Sequence, residues 1–184
     1  MLCQLTVSDR ALKCIAELLR DKKFQEAFDI CSRAIEENPQ NAEAHFKMAW
    51  VQQRLGNIDL VKKEFAKALQ LQTRPIEIAG SHYYRGEFFL KQKDWKSAVA
   101  DFTACMEFEQ KENSIWYHSS ALFSRADAYL SLEQYQKALD DLLCIEGDML
   151  LYNSKGKREK SAMIAEARAG VARRNKKYDL TPKD

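Results

Sequence analysis

Apolar residues return along this chain in a fixed order: a small residue, an apolar residue four positions on, and another three beyond that. Ala27, Cys31 and Ala34 make one instance, and Val61, Phe65 and Ala68 the next. Ala98, Phe102 and Cys105 make a third, and Ala138, Leu142 and Ile145 a fourth. Steps of four and three put each trio on one face of a helix. An aromatic residue or Ile stands three places before each trio: Phe24, Ile58, Trp95 and Tyr135. The runs just upstream, Arg20 to Lys23, Leu55 to Asn57, Gln92 to Asp94 and Leu132 to Gln134, read as short polar turns between two helices. Asn38-Pro39 marks a place where a helix must stop. The first two trios start 34 residues apart and the later steps are 37 and 40, so insertions of three and six are needed.

The pattern resembles the tetratricopeptide repeat, a unit of about 34 residues written W-x2-L-G-x2-Y, then A-x3-F, then P. Met48-Ala49 and Gln52, Arg85-Gly86 and Phe89, and Arg125-Ala126 and Tyr129 stand at its L-G and Y positions. Cys14-Ile15 and Leu18 stand there in the opening repeat, whose first helix fits worst. The repeats run 8–41, 42–75, 79–112 and 119–152. The resemblance implies an all-α fold, an α-solenoid of four helix-turn-helix repeats filling residues 1–152. One helix pair cannot bury its apolar faces alone, so neighbours must stack. Ala27, Ala49, Gly86, Ala98, Ala126 and Ala138 are the small residues where helices cross closely. Pro75 and Glu112 to Ser114 read as loops. Beyond the array, residues 153–178 read as a polar loop over 153–157 and a capping helix from about Arg158 to Lys177, striped by Met163, Ile164, Ala167 and Val171. Residues 179–184 are a tail.

Composition agrees with helices. The 184 residues include only 6 Gly and 3 Pro, against 30% charged residues, which argues against a turn-rich β-sandwich. An apolar share of 46% excludes a disordered chain. The five cysteines, Cys3, Cys14, Cys31, Cys105 and Cys144, are odd in number and form no CxxC pair. They read as reduced thiols, without a metal. Met1 to Arg10 lacks the basic and apolar regions of a signal peptide, and no run reaches the ~18 apolar residues of a membrane span. The expectation is a cytoplasmic protein.

No nucleotide, hydrolase or metalloprotease motif occurs. The adjacent carboxylates Glu36-Glu37 and Asp140-Asp141 read as solvated helix faces. His45 and His82 share the fourth position of two repeats and read as packing rings. Neither an enzyme nor a cofactor is expected.

The tetratricopeptide resemblance implies that the first helices line a concave groove. Carried over position by position, it places Leu12, Lys13 and Arg20 there from the first repeat, and Phe46, Lys47, Trp50 and Arg54 from the second. Tyr83, Tyr84, Glu87 and Lys91 follow from the third, and Phe123 and Asp127 from the fourth. Aromatic anchors with a basic edge suit a partner protein that presents a peptide or helix with apolar anchors and some acidic residues. An adaptor, scaffold or chaperone-like role follows, with homodimerisation as an alternative. The family's clamp for acidic chaperone tails needs Lys and Asn where this chain has Leu12 and Ala16, or Phe46 and Trp50, so that role is not expected.

The net charge of +2 hides a division. Residues 1–154 hold 19 basic and 23 acidic residues, whereas 155–177 hold nine basic against two acidic. Lys157, Arg158, Lys160, Arg173, Arg174, Lys176 and Lys177 read as candidate contacts to nucleic acid or another anionic surface. The competing reading is a solvated cap whose cations favour the helix end.

Overall fold

The computed structural model describes the backbone of residues 7–153 and 156–179, and the side chains of 10–151 and 156–176. The chain divides into two compact units, Met1–Ser81 and His82–Asp184. The first holds α1 (Val7–Leu12), α2 (Ile15–Arg20), α3 (Phe24–Glu37), α4 (Ala42–Leu55) and α5 (Ile58–Leu71). α6 (Pro75–Lys91) begins there and contributes its later residues to the second unit. That unit continues with α7 (Trp95–Lys111), α8 (His118–Ser131), α9 (Tyr135–Leu143), strands β1 (Leu150–Asn153) and β2 (Gly156–Glu159), and α10 (Lys160–Asp179). The fold is all-α, built from tetratricopeptide-like helix-turn-helix repeats and closed by a C-terminal helix.

All twelve residues of the four apolar trios are buried, Ile145 at 4% being the most exposed. They form the seams along which helices meet. In the first unit, Ala27, Cys31 and Ala34 join a core with Ile15, Met48 and Val51. In the second, Ala138, Leu142 and Ile145 join Phe123, Met163 and Ala167. α10 packs on α9 and α8 and on β2, so it covers the last apolar face as a cap must.

The four inter-helix turns share one backbone geometry. Lys22, Gly56, Lys93 and Glu133 all take positive φ, between 56° and 81°. The next amide in each case bonds back across the helix end: Lys23 to Leu18, Asn57 to Gln52, Asp94 to Phe89 and Gln134 to Tyr129. This left-handed cap satisfies carbonyls that a helix end otherwise leaves orphaned. Helix starts are fixed by side chains too: Asn41 accepts from the Ala44 amide and Asp94 from the Ser97 amide.

The structure departs from the sequence reading in four places. The first helix of the opening repeat breaks at Lys13-Cys14, the segment that matched the repeat worst. Pro75 is not in a loop; it opens α6, because proline needs no amide donor in the first turn. Residues 153, 156 and 157 are not plain loop: they belong to two antiparallel strands in which Leu150 faces Glu159 and Asn153 faces Gly156, and 154–155 lie outside the described residues. Arg158 therefore lies in β2, and the capping helix starts at Lys160.

Candidate functional site

In the first unit, α4 carries Phe46, Lys47 and Trp50 at i, i+1 and i+4. The rings of Phe46 and Trp50 lie 5.0 Å apart, and Lys47 Nζ stands 4.5 Å above the Trp50 ring. A cation over an aromatic face is held electrostatically while its head still meets water. Phe46 also meets Phe65 edge-on at 5.9 Å, which anchors it to the core. All three are half-buried, whereas Lys13, Arg20 and Arg54 are exposed. Leu12 is fully buried and joins the core, so it offers no surface to a ligand.

In the second unit, three tyrosines cluster. Tyr83 stacks on Tyr117 at 5.1 Å and meets Tyr84 edge-on at 5.3 Å, and Tyr84 lies 6.2 Å from Tyr117. Burial pushes all three phenols up, Tyr117 to about 12; Glu87 adds to it at Tyr83 and Tyr84, and Tyr84 at Tyr83 and Tyr117. Tyr117 went unnoticed in the sequence because it precedes α8 rather than standing at a groove position. Its amide donates to Glu109 Oε1 at 2.5 Å, which fixes the start of α8. Glu87 accepts a 2.7 Å bond from the Ser124 hydroxyl. Burial raises its carboxyl and nearby Asp127 adds to this, while the Ser124 bond and Lys91 pull it down; the net shift is upward.

Phe123 and Asp127, expected in the groove, are both 1% exposed. Phe123 fills the core behind α8. Asp127 is covered from the hairpin: Arg158 Nη2 reaches its Oδ1 at 3.0 Å and Glu166 at 3.0 Å. The Arg158 side chain reaches Asp127 from β2, and Phe123 shares its core with Leu142 of α9 and Met163 of α10; these are long-range contacts that no helical period encodes.

The same contact corrects the basic patch. Arg158 is occupied by two carboxylates, and Lys157 pairs with Glu159. Lys160 donates to the carbonyls of Ile145 and, at 2.7 Å, Gly147, tying the hairpin base together. Arg173 lies 5.8 Å over the Tyr135 ring. Arg174 and Lys176 are exposed on α10, and the Lys177 side chain lies outside the described residues.

Polar groups form a repeated internal device. Arg85 grips Asp101 through Nε and Nη2, both at 2.7 Å, and Arg125 grips Asp141 the same way at 2.8 and 2.7 Å. His82 Nδ1 meets Asp101 at 2.8 Å, and His45 Nδ1 meets Glu64 at 2.6 Å. Asp141 is thus a buried partner, not a solvated carboxylate, and both histidines do more than pack. The signal was in the sequence: both Arg–Asp pairs are 16 residues apart and both His–carboxylate pairs 19. Burial raises the Asp101 carboxyl, but Arg85 and His82 outweigh it and hold it below its usual range. Burial pushes the Cys31 and Cys105 thiols to about 12, which keeps them protonated and inert. Among the described residues no group of three or more His, Cys, Asp or Glu could hold a metal ion.

One surface feature stands apart from the groove positions. Ile115 and Trp116, between α7 and α8, are 80% and 82% exposed. Beside them lies a cleft of about 540 Å³ lined by Met106, Glu107, Ile115 and His118.

Residues 18–79 match the tetratricopeptide repeat family. This stretch consists of tetratricopeptide repeats, the family that the residues resemble. No curated protein matches the chain. Solved structures of similar fold include PilF of Pseudomonas aeruginosa, at 20% identity over 74% of this chain with a TM-score of 0.64; the chain spans 58% of that protein. MamA of Desulfovibrio magneticus RS-1 is similar at 18% identity, covering 76% of this chain and 74% of its own, with a TM-score of 0.60. A thermophilic TPR protein of Thermus thermophilus is similar at 18% identity, covering 97% and 93%, with a TM-score of 0.52. The likeness is one of fold. No helix among the described residues is long and apolar enough to cross a membrane.

Proposed function

We propose that this protein is a non-enzymatic adaptor or scaffold of the cytoplasm that holds a peptide or helix of a partner protein on the first helices of its repeats. The observation that carries the reading is the Phe46–Lys47–Trp50 cluster on α4. Its rings are half-buried on a helix packed against α3 and α5, and half-buried aromatic side chains with a cation beside them are the residue types that anchor a partner. Partner capture followed by calorimetry, with wild type and Trp50→Ala side by side, tests it. A loss of tenfold or more in affinity for the captured partner is expected. Equal affinity rejects the assignment.

A second reading, self-association, is favoured by Ile115 and Trp116, whose exposure is unusual for large apolar side chains. Sedimentation of wild type and Trp116→Ser at high concentration tests it. A concentration-dependent shift that the substitution removes is expected, and a monomer throughout excludes it.

A further inference from the structure

In the second unit, three aromatic rings and a mostly enclosed carboxylate stand together. Tyr83, Tyr84 and Tyr117 lie within 6.2 Å of one another, centroid to centroid. Glu87 is one turn on from Tyr83 and Tyr84 along α6, and its charge is felt by both phenols. Its carboxylate accepts one hydrogen bond, from Ser124, and the charge of exposed Lys91 reaches it without an ion pair among the described residues. One turn beyond Ser124 on α8, the next carboxylate, Asp127, has already taken up a guanidinium: Arg158 sits on it at 3.0 Å. The chain thus shows how this face treats a cation. It seats one at Asp127 with its own arginine, and presents a second carboxylate beside aromatic faces.

A carboxylate pushed upward by burial is one that water solvates poorly. An incoming cation relieves that cost by direct pairing, and the negative faces of tyrosine rings add to the attraction. An incoming carboxylate would meet Glu87 and be repelled.

We propose that Tyr83, Tyr84, Tyr117 and Glu87 form a subsite for an arginine or lysine side chain of the partner protein. The inference rests on the reading that the partner lies along the first helices, and it narrows the partner's chemistry: a segment that binds the second unit carries a basic residue next to an apolar one. The acidic residues expected of the partner from sequence suit the Lys47 and Arg54 side of the first unit, not this face.

The test uses the full chain and two labelled hexapeptides, one alternating leucine with arginine and one alternating leucine with glutamate. Binding is read by fluorescence anisotropy, and the tyrosine ring resonances are followed by NMR. The wild type is expected to bind the arginine peptide at least tenfold more tightly than the glutamate peptide, with shifts at Tyr83, Tyr84 and Tyr117. Glu87→Gln keeps an acceptor for Ser124 and should reduce arginine-peptide affinity about tenfold. Tyr84→Leu keeps apolar bulk and should reduce it several-fold. Equal binding of both peptides, or an arginine-peptide affinity within twofold in Glu87→Gln, overturns the subsite. If Trp50→Ala still weakens binding in that case, the groove reading stands and only the cation subsite falls. If neither peptide binds, the subsite falls while the captured-partner comparison with Trp50→Ala still decides the groove.

Discussion

The ring of Tyr135 occupies the space where a side chain on Gly170 would begin: a β-carbon there would stand 2.2 Å from Tyr135 Cγ. α10 reaches α9 this closely only because residue 170 has no side chain. Tyr135 opens α9 and Gly170 lies mid-way along α10, so the pair sets the depth at which the cap is seated. Gly170→Ala cannot be absorbed by a side-chain tip, since the clash is with the root of the ring. A loss of about 2 kcal/mol is expected from overpacking. Hydrogen exchange should show it as faster exchange in α10, with α4 and α5 unchanged.

Arg158 and Asp127 hold the hairpin on α8, with Asp127 at 1% exposure. Removing Arg158 takes a charged partner from a carboxylate that is almost fully buried. Arg158→Ala is therefore expected to cost about 3 kcal/mol, read by urea unfolding. The double variant Arg158→Ala with Asp127→Asn should recover part of this, because no unpaired charge remains.

Lys93 adopts φ of 61° at the turn where the second repeat uses Gly56. A β-carbon disfavours that conformation by about 1–2 kcal/mol, partly offset by the extra freedom glycine gives the unfolded chain. Lys93→Gly is expected to stabilise by about 0.5–1 kcal/mol. Gly56→Ala, where a β-carbon would touch nothing within 4 Å, should destabilise through backbone strain alone. Thermal unfolding of the two variants checks both signs.

Asp101 links stability to pH. Its carboxyl is lower in the folded chain than in an unfolded one, where it would sit near ~3.9. The stability it contributes is present above the unfolded value and is lost as pH falls through the folded one. Denaturant midpoints measured from neutral pH downward should fall below about pH 4. Asp101→Asn should flatten that part of the slope and lower stability at neutral pH, because Arg85 and His82 lose the carboxylate's charge and one of its two acceptor oxygens.

Much of the fold was legible in the residues. The four trios, the four turns and the close crossing at Gly86 all follow from local rules. A β-carbon on Gly86 would come within 2.9 Å of the Phe102 ring. The groove candidates were legible only as positions in a repeat. Trp50 and Lys47 form a cluster there, but Leu12, Phe123 and Asp127 are buried by neighbours that the period does not describe. The hairpin escaped notice because its short strands alternate weakly and the second carries three charged residues, Lys157, Arg158 and Glu159.

What the sequence determined by itself was the period: the apolar trio that faces inward on the second helix of each pair, the turn before it, and a resemblance to the tetratricopeptide repeat that the family match over residues 18–79 supports. Those features depend on residues three and four apart, which a helix brings together whatever surrounds it. Tertiary structure decided how the charges are spent. Arg85 meets Asp101, Arg125 meets Asp141 and Arg158 meets Asp127 because separate elements pack against one another. The basic C-terminal segment is therefore partly a set of internal fastenings. A charge counts toward a partner only where no neighbouring element has already claimed it, and that is settled by packing rather than by composition.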